Sequence, residues 1–96
     1  MARLSDEEIE QALGDLDGWE RAGDAIERTF ELDDFKGSVE FVNALTPEAE
    51  AMNHHPDLAI SWNRVTVTIT THSEGGLTAN DFELARRIAT LAPAAE

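Results

Sequence analysis

Residues 58–72 read Leu58-Ala59-Ile60-Ser61-Trp62-Asn63-Arg64-Val65-Thr66-Val67-Thr68-Ile69-Thr70-Thr71-His72. Val65, Val67 and Ile69 alternate with Thr66, Thr68 and Thr70. A period of two over β-branched residues predicts a half-buried strand, with the valine side on a core and the threonine side, continued to His72, facing away. Leu58, Ile60 and Trp62 alternate in the same way just upstream, and Asn63-Arg64 supplies a turn. Strands joined by so short a connection run antiparallel. A second hairpin is expected over Trp19–Leu32, where Ile26, Phe30 and Leu32 share one parity and Gly23-Asp24 turn the chain. Arg28 breaks that alternation.

Helices are expected before, between and after the two hairpins. Ser5 with Glu8 forms a capping box, and Leu4 with Ile9 a hydrophobic staple. Ile9, Ala12, Leu13 and Leu16 then keep helical spacing up to Gly14 and Gly18. Asp33 or Asp34 caps a second helix whose stripe of Phe35, Val39, Val42, Leu45, Ala49 and Met52 is expected to be buried. Pro47 cannot donate to the carbonyl of Asn43, so a kink or a restart capped by Thr46 is expected near Leu45–Pro47. Thr78 caps the last helix, which buries Phe82, Ala85, Ile88 and Ala89 and stops before Pro93. The order is α-β-β-α-β-β-α in a single domain over residues 1–96. The expected class is α+β, a four-stranded antiparallel sheet with helices packed on one face.

Composition narrows the function. Ninety-six residues allow one small core, which hydrophobic residues at 42% of the chain can fill. Cysteine is absent, so disulfides, thiolate metal sites and cysteine nucleophiles are excluded. The charged N-terminus is unlike a signal peptide and no apolar run reaches a membrane-spanning length, so a cytoplasmic location is expected. Twenty Asp and Glu against seven Lys and Arg give a formal net charge of −13. Such a surface repels phosphate backbones, so no direct contact with nucleic acid is expected. Only Lys36 is lysine among the seven. Acid excess with so little lysine fits either an ordinary acidic protein or one that works in concentrated salt, where self-repulsion is screened.

The residues able to carry chemistry are few. His54, His55 and His72 lie within nineteen positions, at the expected ends of elements and outside every apolar stripe. Imidazole exchanges protons near neutral pH, so such a cluster suits general acid–base catalysis. Three histidines with Glu50 or Asp57 also match a zinc or iron site by ligand count, but the spacing is poor. Adjacent His54 and His55 diverge on any regular element, and no His-x-His or His-x-x-x-His pair occurs. Gly75-Gly76 is no phosphate loop, and no serine sits in a nucleophile elbow. Glu50, one turn before His54, can orient an imidazole or bind a polar substrate edge. Trp19 and Trp62 can stack on a flat heterocycle or fill a core.

Glu50, three residues, His54-His55-Pro56, Trp62, then His72 and Asp81 form a combined spacing. It resembles the signature of the pterin-4a-carbinolamine dehydratases. The likeness extends to Leu4-Ser5-x-Glu7-Glu8, Gly18-Trp19, the Phe30 and Phe35 region, Thr71-His72 and Gly76-Leu77. It implies a hydro-lyase that converts 4a-hydroxytetrahydropterin, such as 4a-hydroxytetrahydrobiopterin, to quinonoid dihydropterin and water. That reaction recycles tetrahydropterin without metal or other cofactor. It implies His54 and His72 as acid and base, with His55 holding the pterin and assisting. By the same likeness Asn53, Thr70, Thr71 and Ser73 line the pterin pocket, and Glu50 and Trp19 form its walls. Members often carry Asp and Glu where this chain has Asn53 and Ser73. Similar proteins are dimers or tetramers, so a homo-oligomer is implied. Two further roles stay open on the residues alone: a non-catalytic binding module of the transcription-coactivator kind, and a dehydratase-like protein of another pterin pathway, such as that of molybdopterin.

Overall fold

A computed structural model describes residues 2–93. Helix α1 spans Asp6–Gly14, strand β1 Glu20–Ala22, strand β2 Ala25–Glu31 and helix α2 Phe35–Met52. Strand β3 spans Asp57–Ser61, strand β4 Arg64–Ile69 and helix α3 Ala79–Ala89, with a short 3-10 turn at His72–Glu74. All strand pairs are antiparallel and the sheet order is β1-β2-β4-β3. The fold is α+β in the order α-β-β-α-β-β-α.

The period-two reading of β4 is borne out: Val65, Val67 and Ile69 are fully buried. Their cross-strand partners in β2 are Phe30, Arg28 and Ile26 in turn. Opposed residues share a face, so Arg28 points to the helix side with them. It avoids burial by running its stem over the Phe30 ring, 4.3 Å from guanidinium carbon to centroid, and donating to the carbonyl of Asp17 at 3.1 Å. Gly18 has φ 87°, and a Cβ there would meet Arg28 Nε at 2.8 Å. That position therefore needs glycine twice over, for its backbone and for this close approach.

Against this face α2 presents Ser38, Phe41, Leu45 and Ala49, and α3 presents Phe82, Leu84, Ala85 and Ile88. Burying each larger side chain contributes about 1.5–3 kcal/mol. The capping box of α1 forms: Ser5 accepts from Glu8 N–H while the Glu8 carboxylate accepts from Ser5 N–H. Asp34, rather than Asp33, caps α2 by accepting from Gly37 N–H.

Three expectations are corrected. Helix α2 runs unbroken through Pro47. Thr46 is no cap, and its hydroxyl donates to the carbonyl of Val42 at 2.8 Å. The bond Pro47 cannot make is lost at exposed positions, Asn43 and Pro47, where water reaches the freed carbonyl. The stripe expected to be buried is only partly so. Leu45 and Ala49 are buried and Val42 and Met52 half-buried, but Phe35 is 56% and Val39 37% exposed. Phe41 takes the core position instead. The turn between β3 and β4 is Trp62-Asn63, because Ser61 pairs with Arg64. Trp62 carries the positive φ of 54° that so tight a turn demands.

Among the described residues no helix is long and apolar enough to cross a membrane.

Candidate functional site

The end of α2 decides where the histidine pair points. Asn53 adopts the left-handed conformation, φ 49° and ψ 44°, and its N–H bonds the carbonyl of Glu50 at 3.1 Å. The next N–H, that of His54, returns to the carbonyl of Ala49 at 3.0 Å. These two bonds make a Schellman ending, in which asparagine is the usual substitute for glycine. The chain reverses there and the two adjacent side chains separate.

His54 turns inward, with its side chain 12% exposed, and its Nε2 lies 2.6 Å from Oδ1 of Asp81. Asp81 sits in the first turn of α3 and is fully buried. Its other oxygen, Oδ2, accepts from the backbone N–H of Thr78 and from the hydroxyl of Thr71, each at 2.8 Å. Three donors and the positive end of α3 thus surround one carboxylate. With a carboxylate as acceptor, His54 Nε2 carries the hydrogen, an assignment made from the hydrogen-bond network. Among the described residues Nδ1 has no hydrogen-bond partner.

His55 turns outward, its Nε2 2.7 Å from Oε2 of Glu50, with both side chains more than half exposed. An exposed pair of this kind contributes little to stability. Its consequence is orientation: Glu50 holds the ring on the surface of the α2 end.

His72 opens the 3-10 turn. Thr71 and Gly76 close that turn with an isolated bridge, Thr71 N–H to Gly76 carbonyl at 3.2 Å. His72 lines a cavity of about 230 Å³ with Asp24, Ala25, Thr70, Gly75 and Gly76. Among the described residues no hydrogen bond joins its ring to the other imidazoles. The link runs through the chain: Thr71, the residue before His72, grips the carboxylate that grips His54. A larger cavity, about 380 Å³, lies beside Leu32, Phe41 and Leu91 and touches none of the three histidines.

The remaining candidates divide. Thr70 shares the His72 cavity and its hydroxyl donates to the carbonyl of Asp24. Ser73 is exposed within the 3-10 turn. Asn53 serves as the helix ending. Trp19 lies in the core, 5% exposed and edge-on to Phe30 at 6.0 Å between centroids. Thr71 directs its hydroxyl at Asp81. Asp81 belongs to the signature spacing but carries no expected role at the site, and Thr78 is expected only as a cap. Thr78-x-x-Asp81 reads as a helix cap, and a cap sequence carries no sign that its carboxylate is buried or that His54 will reach it. Among the described residues no three His, Asp or Glu side chains converge as a metal-binding group.

Residues 2–91 match the family model described as pterin 4 alpha carbinolamine dehydratase. A protein of Thermosynechococcus vestitus provisionally named pterin-4-alpha-carbinolamine dehydratase is 54% identical over 90 residues, 94% of this chain and 95% of its own. A Roseiflexus protein with the same provisional name is 52% identical over 86 residues, 90% and 92% of the two chains. Among solved structures, a transcriptional coactivator/pterin dehydratase from Brucella melitensis superposes with a TM-score of 0.91 at 39% identity, over 95% of this chain and 99% of that one. A pterin dehydratase-like RuBisCO assembly factor of the alpha-carboxysome shares the fold, with a TM-score of 0.67 at 20% identity over 81% and 93% of the chains. The chain therefore belongs to the pterin 4 alpha carbinolamine dehydratase family.

Proposed function

We propose that this protein dehydrates a 4a-hydroxytetrahydropterin, such as 4a-hydroxytetrahydrobiopterin, to quinonoid dihydropterin and water. In that step the C4a–O bond breaks and its electron pair leaves with oxygen, which takes up a proton and departs as water. The N5–H bond gives up its proton and its electrons form the C4a–N5 double bond. One group must donate a proton and one must accept it, and no electrons are exchanged with any other molecule. Each well-placed acid or base contributes roughly 10²–10⁴-fold.

The observation that carries this reading is the bond between His54 and the buried carboxylate of Asp81. An imidazole held by a carboxylate through one nitrogen offers the other to a ligand in a fixed orientation. His72, on the neighbouring turn, serves as the second proton-transfer group. His55, aligned by Glu50, contacts the pterin at the exposed side. Thr70, Gly75 and Gly76 border the His72 cavity, where a polar pterin edge or side chain is accommodated, with Ser73 on the adjoining turn. The protein acts in the cytoplasm and supports the recycling of tetrahydropterin.

We also read it as a homo-oligomer. Among the described residues Phe35, Val39, Leu58, Ile60 and Trp62 are the exposed large hydrophobic ones, and Leu58 and Ile60 lie on the edge strand β3. Ser38, beside Val39, donates to the carbonyl of Trp62 at 2.7 Å, so the start of α2 and the β3 turn adjoin. An exposed edge with an apolar flank favours pairing. A second copy fits because β3 matches itself about Ala59: Leu58 then opposes Ile60, and Asp57 opposes Ser61 rather than another Asp57.

The test is to generate the 4a-hydroxytetrahydropterin in solution and follow quinonoid dihydropterin spectroscopically, with and without a strong chelator. Acceleration that persists in chelator supports the reading. A rate equal to that of buffer at micromolar protein contradicts it.

A further inference from the structure

We propose that Thr71 is a positioning residue, which fixes the reacting nitrogen of His54 by acting through the buried carboxylate of Asp81. The inference rests on the reading of His54 as an acid–base group and concerns how that group is set.

Thr71 has one hydroxyl proton, and it goes to Asp81 Oδ2 at 2.8 Å. The Thr71 oxygen also lies 2.9 Å from the hydroxyl oxygen of Thr78. Since the Thr71 proton is committed, Thr78 is the donor in that contact. Donation therefore runs one way, from Thr78 to Thr71 and from Thr71 to Asp81. His54 Nε2 donates to the same carboxylate from the other side. Thr78 and Asp81 are fully buried, and in such surroundings each link of a donor chain strengthens the next.

The consequence for His54 is geometric. Oδ2 is occupied by Thr71 and by the Thr78 N–H, so the carboxylate cannot swing without breaking two bonds. Oδ1 alone is left for His54, which keeps the hydrogen on Nε2 and leaves Nδ1 to the substrate. Remove the Thr71 hydroxyl, and a single N–H holds Oδ2. The carboxylate then has freedom to turn, and its hold on one form of the ring weakens. A hydroxyl that donates inward and accepts from Thr78 is poorly placed to serve as a pterin contact as well.

The backbone of Thr71 does a second, separate job. Its carbonyl accepts from Glu74 N–H at 3.1 Å and from Gly76 N–H at 3.4 Å, closing the turn that carries His72. One residue thus holds His54 through its side chain and His72 through its main chain. A side-chain substitution perturbs the first and spares the second.

The experiment compares Thr71→Val, which keeps shape but loses the hydroxyl, with Thr71→Ser, which keeps the hydroxyl. Thr71→Ala is a second hydroxyl-free variant should valine disturb folding. Two readouts are taken: steady-state dehydration of the pterin substrate, and ¹⁵N signals of the histidine rings in the ligand-free protein. The expected result for valine is a kcat about 10–100-fold lower with KM within about twofold. The His54 ring should move from a single Nε2–H form to a mixture, while the His72 signals stay put. Serine should restore both. Unchanged His54 ring signals in Thr71→Val overturn the inference. So does a raised KM at unchanged kcat, which would make Thr71 a substrate contact. If the wild type dehydrates no pterin yet its His54 form depends on the Thr71 hydroxyl, the positioning role stands and the dehydratase reading fails.

Discussion

His54 and Asp81, twenty-seven positions apart in sequence, meet through Nε2 and Oδ1 at 2.6 Å, in a bond whose acid partner is wholly buried. The contact joins the C-terminal end of α2 to the N-terminal turn of α3. The left-handed Asn53 aims the imidazole, and the helix start fills the carboxylate with donors. Replacing Asp81 by Asn puts an amide where the network needs an acceptor for three donors. We expect kcat to fall about 10²–10⁴-fold, as wrong-tautomer substitutions do at other imidazole–carboxylate sites. Steady-state kinetics alongside circular dichroism checks this, and a folded Asp81→Asn protein with wild-type kcat would rule out the pairing as functional.

The apolar flank of β3 makes a separate claim. Ile60 is 41% exposed and faces the same side as its partner Val65. Ile60→Asp would set a carboxylate against Leu58 of the second copy. Multi-angle light scattering should give at least twice the chain mass for the wild type and a shift toward single-chain mass for the variant. A wild type that runs as one chain across a salt series would remove the oligomer from the account.

Pro47 sits in the interior of α2, where it works against its helix. Substituting Ala restores a donor for the Asn43 carbonyl and removes a ring clash, but frees the unfolded chain. We expect a net gain of about 1–2 kcal/mol, or about 4–16 °C in Tm for a domain of this size. Thermal unfolding followed by circular dichroism measures it. A lower Tm would mean that the proline is accommodated without strain.

Much of the fold was legible in the residues because local chemistry and packing agree. The Val65–Ile69 alternation, the Ser5–Glu8 box and the Gly23-Asp24 turn each need only near neighbours. What misled was the apolar stripe of α2. Phe35 and Val39 carry the periodicity of buried residues yet stand exposed, since spacing records that a face is apolar and not what covers it. The candidate site was legible as three histidines and Glu50. The burial of Asp81 was not, because its three donors come from Thr71, Thr78 and His54. Only the closed fold brings these together. For Trp19 the residues left two roles open, stacking on a ligand or filling the core, and the fold packs it against Phe30.

Proton transfer by imidazole is the central step of the proposed reaction. The most direct measurement is the rate of quinonoid dihydropterin formation from the 4a-hydroxytetrahydropterin, comparing wild type with the His54→Ala/His72→Ala double variant at equal concentration. Circular dichroism should verify that the variant is folded. The prediction is clear acceleration by the wild type and a rate indistinguishable from buffer for the variant. A folded double variant that accelerates the reaction as the wild type does would contradict it.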